Sequence, residues 1–337
     1  MIMPNIYSDN GLMFIMIKRT LCALTALAIS SGALASVAVP DFSVPEQGQQ
    51  VILNIPQLRL FLFQDGKLIK TYPIAVGKIR TQTPIGQFKI GAKISHPTWS
   101  VPVSIQREMA ARGKAVTKSV PPGPKNPLGP VFVRLGEPKL GLGIHGTNAP
   151  SSVPGVRSHG CVRLHSKNAL DFAAAVKSGS DAAVIYQQAS VNVDADHDIW
   201  VAIYHDPYNK RSLNKTGLNN SIKSWAQAHH LNINQNRLNA LLGKPNGVLT
   251  CISCAAGKTK IKGTLSSLQW TNGIGDIVHL KQKAANNNDT VTPESNTVEV
   301  NEDTDSKSER NITPIRPIGP KAKVKRTDSS QGFDNLM

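Results

Sequence analysis

From residue 49 onward, short apolar runs alternate with polar turns at a spacing that suits strands rather than helices. The stretch VILNIPQLRLFLFQDGKLIKTYPIAVG within residues 49–94 shows partial two-residue alternation. Asp65-Gly66 in its middle is a hairpin turn signal, because both residue types tolerate positive φ. Thr83-Pro84-Ile85-Gly86 predicts a second turn, leading into a short strand at Gln87–Ile90. Residues 95–130 change character, becoming rich in Pro and Gly and ending PPGPKNPLGP. That composition excludes a long helix or a central strand. It predicts an ordered loop, with a lid as the candidate role, since loops of this length inside a domain are usually functional. VFVRLGEP and KLGLGIHG, near 131–146, return to strand character. Ser166 is expected to N-cap a helix whose apolar positions are Leu170, Phe172, Ala173 and Val176, with Gly179 just past its end. Ala183–Tyr186 reads as the last strand.

These elements predict one mainly β domain with one or two helices over residues 45–189. Residues 190–283 read as a small C-terminal module, with helical patterning at Ser221–His230 and Asn234–Leu242. Residues 284–337 are polar, with an acidic cluster near 299–310 and the basic run PKAKVKR at 320–326. This tail is expected to be disordered, because it lacks apolar surface to bury. At the other end, Lys18 and Arg19 precede TLCALTALAISSGALA. A basic start, a short apolar run and an Ala-Leu-Ala ending predict a secretory signal peptide over residues 1–35. An uncleaved membrane anchor is the alternative reading of the same run. No run reaches the roughly 18–20 apolar residues of a mature membrane span, which argues against a polytopic membrane protein.

The length of 337 residues fits about two domains. Lys and Arg number 38 against 22 Asp and Glu, a formal net charge of +16 that favours an anionic partner without choosing one. Four Cys are too few for a disulfide-built scaffold of this length. Cys251-Ile-Ser-Cys254 reads first as a local disulfide in an exported chain, then as free thiols; a half zinc site lacks a second pair. His229-His230 reads as the decoration of a helix end, where partly cationic His suits the dipole.

One cysteine stands apart. Cys161 lies in Ser158-His159-Gly160-Cys161-Val162-Arg163-Leu164, and His145 opens Ile144-His145-Gly146-Thr147 sixteen positions earlier. A thiol nucleophile needs a base or a cationic neighbour, and His serves best near neutral pH. Gly160 permits a tight backbone path that can aim N–H groups at a developing oxyanion. Two His and one Cys point to acyl transfer through a thioester. A buried hydrophobic Cys and a metal site are the competing readings. The spacing of His159 and Cys161 is unusual for zinc, and a fourth ligand is not evident.

Ile-His-Gly-Thr followed by Ser-His-Gly-Cys-Val-Arg-Leu resembles the signature of the L,D-transpeptidase catalytic domain, the YkuD family. Thr83-Pro84-Ile85-Gly86 is similar to the family's TPxG turn. His96-Pro97-Thr98-Trp99, Val101-Pro102 and VPPGPKNPLGP at 120–130 resemble the periplasmic ErfK/YbiS-like branch. The resemblance covers about residues 49–188. It implies a β-sandwich-like domain and a periplasmic enzyme acting on peptidoglycan stem peptides, with no cofactor and no metal. Cys161 is then the nucleophile and His145 the general base, oriented by the Gly146 carbonyl. His159 helps shape the site, and N–H groups around Gly160 and Cys161 form the oxyanion hole. Arg163 is placed to bind a substrate carboxylate, with Ser158 and Trp99 as further substrate contacts. The implied reaction cleaves the diaminopimelate–D-Ala bond of a tetrapeptide stem and passes the acyl group to an amine. The amine is another diaminopimelate, giving a 3–3 cross-link, or a lipoprotein lysine. Water as acceptor makes an L,D-carboxypeptidase, and a silent wall-binding protein is the non-enzymatic alternative. Nucleic acid is not an expected partner; the chain is expected to lie peripheral to membrane or wall.

Overall fold

Asp65 and Gly66 adopt φ of 47° and 77°, both positive, as a tight hairpin turn demands. They join β2 (Arg59–Gln64) to β3 (Lys67–Pro73), and β1 (Gln49–Asn54) pairs antiparallel with β2 on its other side. The computed structural model describes residues 37–255 and 260–271, and the backbone of 276–277. The expected signal at 1–35 and the polar tail at 284–337 lie outside the described residues. Among those described, no helix is long and apolar enough to cross a membrane.

β4 (Ala75–Gly77) and β5 (Gly86–Ser95) follow the hairpin. Next come β6 (Trp99–Ser100), α1 (Val103–Ala111) and β7 (Ser119–Val120). The chain returns through β8 (Val131–Leu135), β9 (Gly143–His145), β10 (Gly155–Ser158) and β11 (Val162–Arg163). Then α2 (Ser166–Ala175) leads to β12 (Asp181–Ile185). The ten strands of the first sheet run β10-β4-β11-β9-β8-β5-β12-β1-β2-β3. Both β12 against β1 and β11 against β9 are parallel pairs. β5 turns the corner: its first half pairs with β12 and its second with β8, across an irregularity between Ile90 and Lys93. Such breaks bend a sheet on itself. The enclosed core includes Val51, Leu53, Leu60, Ile74, Val133, Ile144, Val162, Leu164 and Phe172.

The 95–130 segment is ordered, and it differs from expectation in holding a nine-residue helix. Residues 103–111 contain neither Pro nor Gly, and Pro102 sits at the N-cap, where its missing N–H costs nothing. The Pro-rich half is organised by one buried amide. Asn126 Nδ2 donates to the carbonyls of Pro97, Val120 and Pro121, and its Oδ1 accepts from the Leu128 N–H. α2 also departs from expectation at its start. His165 is the N-cap, and the Ser166 hydroxyl instead bridges the Thr147 N–H and carbonyl.

Beyond residue 189 the helical patches are present and a sheet joins them. β13 (Ala189–Val193) and β14 (Ile199–Ile203) form a hairpin. α3 (Lys215–Ala228) and α4 (Gln235–Gly243) are capped by Asn214 and Asn234 side chains, which accept from the N–H groups of Gly217 and Arg237. β15 (Thr250–Cys251), β16 (Ser266–Gln269) and β17 (Asp276–Ile277) complete the order β15-β14-β13-β16-β17. Val191, Val193, Ile199, Ile222, Trp225 and Leu238 share its core. His229 is the C-cap of α3, packs at a tilt on Trp225 and stacks on His197. Cys251 and Cys254 form a disulfide. The Arg237 guanidinium grips its loop through the Cys251 and Cys254 carbonyls. Asp198 converges with these two sulfurs within 4.8 Å, but bonded sulfurs are not thiolate ligands.

The opposite face of β13 is covered by the chain's early residues. Asn192, fully buried, accepts from the Val39 N–H through Oδ1 and donates to the Val39 carbonyl through Nδ2, both at 2.9 Å. Asp41 accepts from the Trp270 and Thr271 N–H groups. Asn192→Ala should therefore strand the Val39 N–H and C=O beside a hydrophobic core. The expected cost is about 1–3 kcal/mol. Denaturant unfolding checks it, and limited proteolysis should cut first near residues 37–45.

Candidate active site

Val162 and Leu164 are fully buried, and Ile144 nearly so. Side chains alternate along a strand, so Arg163 and His145 project from the other side of the sheet, while Cys161, one residue before β11, packs partly against the core. The parallel register sets Arg163 opposite His145 and Val162 opposite Ile144. The sheet thus brings together three residues from two motifs. Cys161 is half-buried and is the free cysteine of the described residues.

His145 is 4% exposed. Its Nδ1 lies 2.6 Å from the Gly146 carbonyl oxygen. A carbonyl only accepts, so Nδ1 carries the proton and Nε2 keeps its lone pair. Gly146 can hold this position because a Cβ there would meet Pro130 Cδ at 2.8 Å. The Phe132 ring stacks along the imidazole, with centroids 6.1 Å apart. Burial pushes His145 down to about 4, against the pull of the Gly146 backbone and with help from the Arg163 charge. Burial likewise pushes the Cys161 thiol up, partly offset by the Gly143 backbone and by Arg163. The thiol donates to the Gly141 carbonyl at 3.5 Å. Both shifts favour the neutral forms, thiol and imidazole, over a thiolate–imidazolium pair. Arg163 donates to Ser152 Oγ at 3.4 Å. Among the described residues no carboxylate neutralises this half-buried guanidinium, and burial pulls its pKa below the ordinary value.

The loop before Cys161 is held by a closed set of hydrogen bonds. Ser158 Oγ accepts from the Gly160 N–H at 3.1 Å and donates to the Cys161 carbonyl. Ser158 is 2% exposed. Its hydroxyl is committed within the loop, which gives it a structural part rather than the substrate contact expected of it. The same bond occupies the Gly160 N–H, so that group is not free for an oxyanion. The Cys161 N–H carries no hydrogen bond among the described residues. Gly160 adopts φ of 116°, a region that a side chain would strain. Its carbonyl accepts from Thr83 Oγ1 at 2.8 Å.

His159 does not join the Cys161–His145–Arg163 cluster through any hydrogen bond. Its Nε2 meets Glu108 of α1 at 3.3 Å, so it fastens the helix of the 95–130 segment to the motif. Trp99 lies on the β6–β7 hairpin at the base of that segment, off the strands that carry the three clustered residues. Glu108, Thr83 and Phe132 were not expected at the site. Only Thr83 had a sequence signal, its place in the Thr-Pro turn.

A neutral resting pair has a measurable consequence. Alkylation of Cys161 by iodoacetamide should keep climbing with pH through the ordinary thiol pKa of about 8.5, with no plateau below it. A thiolate–imidazolium pair would instead give a plateau below pH 7. Rates measured by mass spectrometry from pH 5 to 10 distinguish the two.

The profile of the L,D-transpeptidase catalytic domain, YkuD, matches residues 48–189. The YkuD relative of Bacillus licheniformis is 33% identical over 146 residues, covering 43% of this chain and 71% of the relative. ErfK/SrfK of Escherichia coli is 28% identical over 213 residues, 60% of this chain and 66% of that protein. A solved L,D-transpeptidase from Mycobacterium smegmatis is 21% identical, with a TM-score of 0.33 over 41% of this chain and 58% of that one. With the motif residues on adjacent strands of one sheet and a relative matched across most of its length, the chain belongs to the L,D-transpeptidase catalytic domain family.

Proposed function

We propose that this protein is a peptidoglycan L,D-transpeptidase that works through a Cys161 thioester on tetrapeptide stems. What carries the reading is a half-buried thiol and an imidazole held as the Nδ1–H tautomer, both near enough to feel the Arg163 charge. That tautomer leaves Nε2 free to take a proton. In the first half-reaction Cys161 Sγ bonds to the diaminopimelate carbonyl carbon while its proton passes to His145 Nε2. The Cys161 N–H faces the developing oxyanion. Collapse breaks the C–N bond, and His145 returns the proton to the departing D-Ala amine. In the second half-reaction an acceptor amine attacks the thioester, gives its proton to His145 and releases the thiol. The pH dependence follows from the direction of the His145 shift. The base is unprotonated down to about 4, so the neutral-pH enzyme needs no titration to begin.

Arg163 is suited to a stem carboxylate, because a planar fork can hold both oxygens at once. His159 acts through Glu108 on the segment beside the motif rather than on the reacting atoms. The acceptor is an amine of a second diaminopimelate or of a lipoprotein lysine. The substrate places the enzyme in the periplasm, peripheral to membrane or wall, which fits export by the residues at 1–35 and the net charge of +16.

Incubation with purified tetrapeptide muropeptides, followed by mass analysis, tests the reading. Loss of D-Ala with a 3–3 dimer supports it, tripeptide alone marks hydrolysis, and unchanged tetrapeptide rejects it. His145→Ala should slow carbapenem acylation of Cys161 by about 10²–10⁴-fold, with substrate affinity little changed. Arg163→Lys should lose most activity on stems with a free carboxylate near the scissile bond, and much less on amidated stems. Equal losses on both substrates, in steady-state kinetics, would assign Arg163 a structural part instead.

A further inference from the structure

Tyr208 lies beyond the residues the family profile matches, yet it is buried in the core of the first sheet. It is 5% exposed, and its ring stacks on Tyr186 with centroids 5.6 Å apart. Its N–H donates to the Tyr186 hydroxyl, which in turn donates to Asp206. Asp206 also accepts from the Lys210 and Arg211 N–H groups, so the whole Tyr204–Arg211 turn is braced from within.

The Tyr208 hydroxyl enters a network in which every proton is accounted for. It accepts from the Thr83 N–H at 3.1 Å and donates to the Gly77 carbonyl at 3.0 Å. Thr83 Oγ1 accepts from the Gly77 N–H at 2.9 Å and donates to the Gly160 carbonyl at 2.8 Å. Thr83 is 1% exposed, so no water can replace these partners cheaply. The Gly160 carbonyl and the Cys161 N–H belong to one planar trans peptide and point in opposite directions. Fixing the carbonyl on Thr83 therefore fixes where the Cys161 N–H points. Gly160, at positive φ, supplies no steric resistance of its own to rotation of that peptide.

We propose that Tyr208 is a positioning residue for acyl transfer: through Thr83 and the Gly160 carbonyl, its hydroxyl aims the Cys161 N–H at the oxyanion. The inference rests on the acyl-transfer reading of the site. It makes the region after residue 189 part of the catalytic apparatus, although among its described residues none hydrogen-bonds to Cys161, His145 or Arg163.

The test is Tyr208→Phe in the full chain, which keeps the ring and its stacking and removes only the hydroxyl. Two reactions of the same thiol are compared. Acylation by a carbapenem builds an oxyanion; alkylation by iodoacetamide does not. Acylation and muropeptide turnover should slow by roughly 5- to 50-fold, less than the ~10²–10³ for outright loss of an oxyanion donor. The loss should fall in kcat rather than KM, while the alkylation rate and its pH profile stay within about two-fold of wild type. Acylation at the wild-type rate overturns the proposal. An equal fall in both reactions also overturns it, because that marks general loosening of the site. Should Tyr208→Phe unfold, Thr83→Val carries the same test with the same expected split. A wild-type Cys161 that alkylates but never acylates rejects the acyl-transfer reading itself, and the positioning role with it.

Discussion

Side chains of a strand alternate between two faces, so a slip of one residue would send Arg163 into the core and turn Val162 out beside His145. The parallel register of β11 on β9 prevents this, and the fully buried Val162 and Leu164 enforce it from below. Everything chemical in the site follows from that pairing. It places Arg163 opposite His145 and leaves the thiol beside Gly141 and Gly143. The apolar side of two short strands thus decides the chemistry of the polar side.

The cluster of Cys161, His145 and Arg163 was legible in the sequence because these residues sit in short contiguous motifs. His145-Gly146 needs only a neighbouring carbonyl to fix its tautomer, and Cys161 comes with its own tight turn. The Asp65-Gly66 hairpin and the Asn234 cap are local in the same way: each is set by residues within three or four positions. What escaped was long-range or masked by composition. Asn126 does its work through three carbonyls, one of them 29 residues away. α1 was hidden by the Pro-rich stretch around it, though residues 103–111 carry no helix breaker. The β13–β14 hairpin was overlooked because Asn and Asp punctuate its apolar positions, yet the alternation of Val191 and Val193 around Asn192 is a strand pattern. Ser158 looked like a substrate contact because a hydroxyl near a nucleophile invites that reading. Its burial makes it a brace.

Tyr208 shows where sequence reading stops. It pairs with Gly77 and Thr83 across 131 and 125 positions, and nothing local in Asp206-Pro207-Tyr208 announces a target. Only the scarcity of aromatics, 5% of the chain, hints that a Tyr in a polar turn has a buried use. A boundary drawn at 189 follows the change from one sheet to the next. The hydrogen bonds do not respect it, since the turn after β14 reaches back into the first core.

Asp41 accepts from Thr271 across 230 positions. Closing a loop of that length is among the last events available to the chain, because non-local contacts carry their entropy cost before they return any stability. During synthesis from the N-terminus, residues 48–192 can pair, bury their core and hold the segment at 37–41 through Gln57, Gln187 and Asn192, while the Asp41 carboxylate still waits for its partners. The Asp41 clamp is thus a signature of completion. A chain interrupted before residue 270 carries Cys161, His145, Arg163 and Tyr208, but its Asp41 carboxylate lacks the Trp270 and Thr271 N–H groups. Proteases that survey newly made protein would meet a segment at 37–41 held by fewer bonds on the unfinished molecule than on the finished enzyme.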